Sequence, residues 1–137
     1  MRKYVFLVLS LCIVVFIWGN SLQDAPHSSV ESRWVLQWMM SFFSAVPGID
    51  HLTMHIVRKM AYFTEYAALG FSLSAAWLTL TGKQKMATVL ILGFLIASID
   101  ESIQLFSPGR SSQISDVLLD TFGVWAGAVV IYVLRKI

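Results

Sequence analysis

The sequence predicts an all-α fold. It is an integral membrane four-helix transmembrane bundle with one interfacial amphipathic helix, built as a single domain over residues 1–137. Three observations predict it. The chain is 57% hydrophobic and only 13% charged, against about 25% charged in an ordinary soluble domain. Its mean hydropathy is +0.71. Four apolar runs, joined by short polar connections, approach the ~20 residues that cross a ~30 Å hydrocarbon layer. A length of 137 residues suits one domain rather than two. A net charge of +2 without a basic run gives no support to a nucleic-acid partner. The one cysteine, Cys12, leaves no intramolecular disulfide and reads as a small apolar residue.

The first span is placed at residues 4–20, behind Arg2 and Lys3. A basic start and a short apolar run also describe a signal peptide. The absence of a small-x-small cleavage pattern, and Trp18 as an interfacial anchor, favour a retained span. After a loop, Ser28-Ser29-Val30-Glu31 has the form of a capping box, so a helix is predicted over residues 29–46. Trp34, Val35, Trp38, Met39, Phe42 and Val46 share one face; Arg33, Gln37, Ser41 and Ser44 lie opposite. This helix is too polar to cross a bilayer and is predicted to lie at its surface, against the spans or beside them. Pro47-Gly48 ends it.

The second span, residues 55–80, outruns the hydrocarbon layer at ~1.5 Å per residue, so it tilts or protrudes. A basic turn over 81–85 leads to the third span, residues 86–106. The tight turn 107–112 leads to the fourth, residues 113–134, and Arg135-Lys136 follow. The N-terminus, the 81–85 turn and the C-terminus carry two Lys or Arg each. Four spans put these three segments on one side, which the positive-inside rule makes cytoplasmic. Arg58 and Lys59, at the outer end of span two, go against that rule and call for local acidic partners.

The acids are not spread evenly. Glu65 lies on the order of 14 Å inward from the start of span two, and Asp100 and Glu101 roughly 8–9 Å below the outer end of span three. Asp116 and Asp120 lie about 5–10 Å below the outer end of span four. All five therefore fall in the outer half of the bilayer. An acid at a membrane helix centre costs on the order of 2.5–3.5 kcal/mol, so each needs compensation. Helical spacing gathers Arg58, Tyr62 and Glu65 on one stripe, Asp100 and Gln104 on a second, and Gln113, Asp116 and Asp120 on a third. Small residues continue the stripes inward, Gly93 and Ala97 on span three and Gly123 and Gly127 on span four. That spacing lets helix backbones approach closely and turns the stripes toward one another.

Asp116 sits near a helix N-terminus, where an anion is favoured. Asp100 and Glu101 sit near a helix C-terminus, where it is not, so they need a cation, a proton or a ligand. Arg110, Arg58 and Lys59 are the candidates. Five acids face three bases, so either an acid keeps its proton or a cationic group completes the balance. Three readings follow: an ion-pair network that holds the helices together, a binding site built on it, or a catalytic site with Glu65 or Asp120 as general acid/base. A conducting path is disfavoured by an inner half almost free of charge.

Other motifs are weak. His51 and His55 are spaced i, i+4, but no acid completes a metal site, and no metal or cofactor is predicted. There is no nucleophile elbow, phosphate-binding glycine loop or His-Glu-x-x-His. Tyr62 and Tyr66 read as packing residues with hydroxyl handles, and Gly70 with Ser74 as helix packing.

These residues together resemble the VanZ-like family of small bacterial membrane proteins, named after a teicoplanin-resistance protein. The resemblance begins at Ser21-x-Gln23 and continues through Arg58-Lys59-x-Ala61-x-Phe63-x-Glu65-Tyr66-x-x-Leu69-Gly70. Its strongest part is Asp100-Glu101-x-x-Gln104-x-Phe106-x-Pro108-Gly109-Arg110, followed by Asp116-x-x-x-Asp120-x-x-Gly123-x-x-x-Gly127. The resemblance implies a four-span protein of the bacterial inner membrane, with a link to teicoplanin-type glycopeptide susceptibility. Where many relatives carry histidine, this chain has Tyr62 and Ile103, which lowers the weight on catalysis or metal binding.

The residues thus point to an outward-facing charged pocket. Arg58, Lys59 and Arg110 would meet an anionic headgroup, and Glu65, Asp100, Glu101, Gln104, Asp116 and Asp120 would orient it or meet a cation. The predicted partner is a membrane lipid or a lipid-linked envelope precursor. The alternative is an enzyme acting on a lipid-linked envelope substrate through Glu65 or Asp120.

Overall fold

A computed structural model describes residues 4–23, 25–42, 53–109 and 112–137. Among them there are five helices and no strand: α1 (Val5–Ser21), α2 (Ala25–Phe42), α3 (Met54–Thr81), α4 (Met86–Gln104) and α5 (Ile114–Leu134). Two of these, α4 and α5, are long and apolar enough to cross a bilayer, with mean hydropathies of 1.8 and 2.0. The apolar α1 is shorter, at 17 residues.

The helix ends follow local chemistry. Thr53 caps α3 by accepting the Ile56 N–H at 3.3 Å, a side-chain oxygen meeting one of the donors that a helix start leaves open. Gly82, at φ 68°, ends the helix in the left-handed conformation that costs glycine least. Gly109, at φ 76°, serves the turn after α4 in the same way, next to Pro108. The expected third span is two residues too long, because the chain turns after Gln104 rather than at Phe106.

The expected helix over 29–46 is displaced. Observed α2 begins at Ala25, so Ser28–Glu31 lies inside the helix rather than at its start. Pro26 explains the earlier start: its fixed φ and missing N–H suit a first helical turn. The predicted end at Pro47-Gly48 lies outside the described residues, as do Val46 and Ser44.

The central element is α3. It packs most extensively against α5, then α1, with α2 and α4 making smaller contacts. Glycine sets the α3–α5 distance. A Cβ on Gly127 would overlap the Ala67 carbonyl, and one on Gly70 would overlap the Val124 backbone. A Cβ on Gly123 would stand 2.8 Å from the Phe63 carbonyl oxygen. The order of these contacts shows that α3 and α5 run parallel. On the other side, a Cβ on Gly93 of α4 would sit 2.6 Å from a Val124 methyl. The core is Ile17, Tyr66, Leu69, Val89, Ala97, Val124 and Ala128. Trp18 packs partly against it.

α1 runs antiparallel to α3. Ser10 donates to Ser72 at 3.0 Å near one end, and Asn20 meets Glu65 near the other. Ser107, just past α4, donates to the Ser21 carbonyl at 2.7 Å. The start of α1, the α3–α4 turn with Lys83 and Lys85, and the C-terminal Arg135 and Lys136 therefore share one end of the molecule. The acids gather toward the other. Outer faces are apolar: Val15, Ile91, Leu95, Leu118 and Phe122 are all more than half exposed.

Candidate functional site

The charged end holds two clefts that meet at α3. The first, about 230 Å³, is framed by the start of α3, the end of α4 and the start of α5. Arg58, Lys59, Glu101, Gln104, Asp116 and Asp120 line it, with His55 and Tyr62. The second, about 270 Å³, lies between the end of α1, α2 and α3. Its wall is mostly apolar, from Val35 and Met39 of α2 and Val57, Met60 and Ala61 of α3, with Asn20, Gln23, Thr64 and Glu65 as polar members. Arg58 and Tyr62 line both, because residues four apart on α3 share one ridge.

Each acid finds a different environment. Asp116 pairs with Lys59 at 2.5 Å, at the half-exposed mouth of the first cleft. A pair this open contributes at most about 1 kcal/mol, so its effect is mainly to align the starts of α3 and α5. Glu101, only 3% exposed, accepts the Gln113 backbone N–H at 3.0 Å. Gln113 is the N-cap position of α5. The positive end of a neighbouring helix thus meets this acid. Asp100 is wholly buried, lines neither cleft, and accepts from Gln104 Nε2 at 3.1 Å.

Glu65 opens onto the second cleft, not the first. Its Oε1 accepts from Asn20 Nδ2 at 3.2 Å, while Oε2 is buried with no hydrogen-bond partner among the described residues. Tyr66 Oη is in the same state. Asp120 is 3% exposed, lines the floor of the first cleft, and makes no hydrogen bond or ion pair among the described residues. Glu65 and Asp120 therefore line different clefts, which join at Arg58 and Tyr62.

The predicted cations separate likewise. Lys59 is committed to Asp116. Arg58 makes no ion pair among the described residues and stands where the clefts join. Arg110 lies outside the described residues, as does His51 of the weighed histidine pair. Among the described residues no group of three or more His, Cys, Asp and Glu side chains could hold a metal ion.

Two contributors were not singled out from sequence. Asn20 carries no assignment from sequence, although an amide at the end of an apolar run is the available signal. His55 was weighed only as a metal ligand. The predicted apolar stripe of α2 also divides: Val35 and Met39 line the second cleft, while Trp34 and Phe42 are about 70% exposed.

The chain matches no curated protein and no solved structure. The family model for VanZ/LLP1 matches residues 6–135. With nearly its whole length covered by that match, the chain belongs to the VanZ/LLP1 family.

Proposed function

We propose that this is a multi-pass protein of the bacterial inner membrane that binds the headgroup of an envelope lipid or lipid-linked glycan. Helices α1, α3, α4 and α5 cross the bilayer, α2 lies at its outer surface, and both termini are cytoplasmic. Apolar outer faces and basic residues collected at one end support this arrangement. The charged cleft then opens outward. Binding of this kind would bear on glycopeptide susceptibility of the teicoplanin type, in keeping with the family.

The observation that carries the reading is the position of Arg58, a cation without a carboxylate partner among the described residues, between a charged cleft and an apolar one. A guanidinium suits a phosphate, which it grips with two parallel N–H bonds. An amphiphile would place its phosphate there, its polar end in the first cleft and its chain along Val35, Met39 and Met60.

Purification with retained lipid, followed by mass spectrometry, tests the reading. The unaltered chain should carry phosphate-bearing amphiphiles, and Arg58→Ala should lose them. An Arg58→Ala protein with an unchanged lipid profile would reject it.

A further inference from the structure

We infer that the headgroup taken by the first cleft is zwitterionic: a phosphate meeting Arg58 and a primary ammonium meeting Asp120, the chemistry of an ethanolamine phospholipid. This rests on the amphiphile reading above and specifies its ligand. Charge accounting within the cleft leads to it. Lys59 and Asp116 neutralise each other. Glu101 is compensated by the α5 N-terminus. One cation and one carboxyl group remain without partners among the described residues, Arg58 at the junction of the clefts and Asp120 on the floor. A purely anionic headgroup would satisfy Arg58 and leave Asp120 as before. A zwitterion satisfies both.

The placement has the right order. Asp120 lies one helical turn, about 6 Å of rise, deeper along α5 than Asp116. Arg58 neighbours Lys59, which meets Asp116, so it belongs to the upper level. A phosphate and an ammonium joined by two carbons run between those levels, and the acyl chain leaves from the phosphate into the second cleft. The chemistry also favours a primary over a quaternary ammonium. Asp120 is nearly closed off from solvent and has no donor among the described residues, and –NH3+ brings three. A trimethylammonium brings none and is held instead by aromatic faces, of which the cleft offers only Tyr62 among its described lining.

The test is a titration of the full chain in detergent, read by native mass spectrometry, with phosphatidylethanolamine, phosphatidylglycerol and phosphatidylcholine of matched acyl chains. Phosphatidylethanolamine should bind about tenfold or more tighter than either other lipid, as one charge-assisted hydrogen-bond set implies. Asp120→Asn should bring it down to the level of phosphatidylglycerol, and Arg58→Gln should weaken all three. Equal, Arg58-dependent binding of phosphatidylethanolamine and phosphatidylglycerol overturns the inference and leaves the amphiphile reading standing. Failure of all three to bind overturns both. A competition on the unaltered chain avoids dependence on a variant's folding. Soluble O-phosphoethanolamine should displace bound phosphatidylethanolamine at lower concentration than phosphocholine does, and equal potency overturns the inference. If the soluble compound binds as tightly as the lipid, the headgroup chemistry stands and the ligand is the free phosphoethanolamine.

Discussion

Glu101 on α4 accepts the backbone N–H of Gln113, the residue that opens α5, at 3.0 Å. An acid near one helix's C-terminus is thereby placed at another helix's N-terminus, and an unfavourable dipole contact is exchanged for a favourable one. The same bond ties the end of α4 to the start of α5.

Removing that acceptor should cost stability. Glu101→Ala is expected to destabilise the protein by about 1–2 kcal/mol, the usual loss of a helix N-cap. Glu101→Gln keeps an acceptor oxygen and should lose less. Thermal unfolding in detergent, followed by circular dichroism, measures both. Equal, negligible shifts would show that the bond does not hold the start of α5.

Glycine contacts make a sharper contrast. Gly127→Ala drives a methyl into the Ala67 carbonyl, with backbone on both sides and no flexible side chain to move aside. Overpacking of this kind costs typically about 1–3 kcal/mol, and here it should separate α3 from α5. Gly19→Ala meets nothing within 4 Å. It should be neutral or stabilising by up to about 1 kcal/mol, from helix propensity alone. Melting temperatures of the two variants should move in opposite directions or differ clearly in size.

Asn20 and Glu65 form a one-sided dependence. Asn20→Ala removes the hydrogen-bond partner of Oε1 while Oε2 already lacks one. A buried polar group left unmatched costs about 1–3 kcal/mol. Glu65→Gln removes the charge and keeps an acceptor for Asn20, so it should be tolerated better. A double-mutant cycle should return a coupling energy well above zero; additive effects would mean the contact contributes nothing.

The Lys59–Asp116 pair should behave differently from either. Both side chains are about 30% exposed, so solvent screens them, and the cycle Lys59→Ala with Asp116→Ala should give at most about 1 kcal/mol, falling with added salt. A larger, salt-insensitive value would indicate a drier site than the geometry shows.

Topology is open to direct labelling. In a Cys12→Ser background, a membrane-impermeant maleimide should reach Pro108→Cys from outside intact cells, and should reach Lys83→Cys only after the membrane is opened. Both positions are exposed. The reverse pattern would turn the charged cleft to the cytoplasm and remove the envelope-ligand reading.

Apolar run length and helical periodicity are properties of neighbours along one chain. From them the sequence by itself determined that the protein is helical, where α1, α3, α4 and α5 run to within about two residues, that Glu65, Asp100, Glu101, Asp116 and Asp120 lie toward one end, and that Gly123 and Gly127 stand on one stripe. Partnerships across helices were a matter for the tertiary structure. It decided that Lys59 takes Asp116, that Glu101 takes a backbone N–H, that Asn20 takes Glu65, and that Glu65 and Asp120 open onto different clefts. The rotation of each helix about its axis and its sliding register are set by which surfaces fit, here the backbone of α3 lodged against Gly123 and Gly127. Charge and spacing along a chain mark which stripe can come close, and not which backbone it meets or at what register.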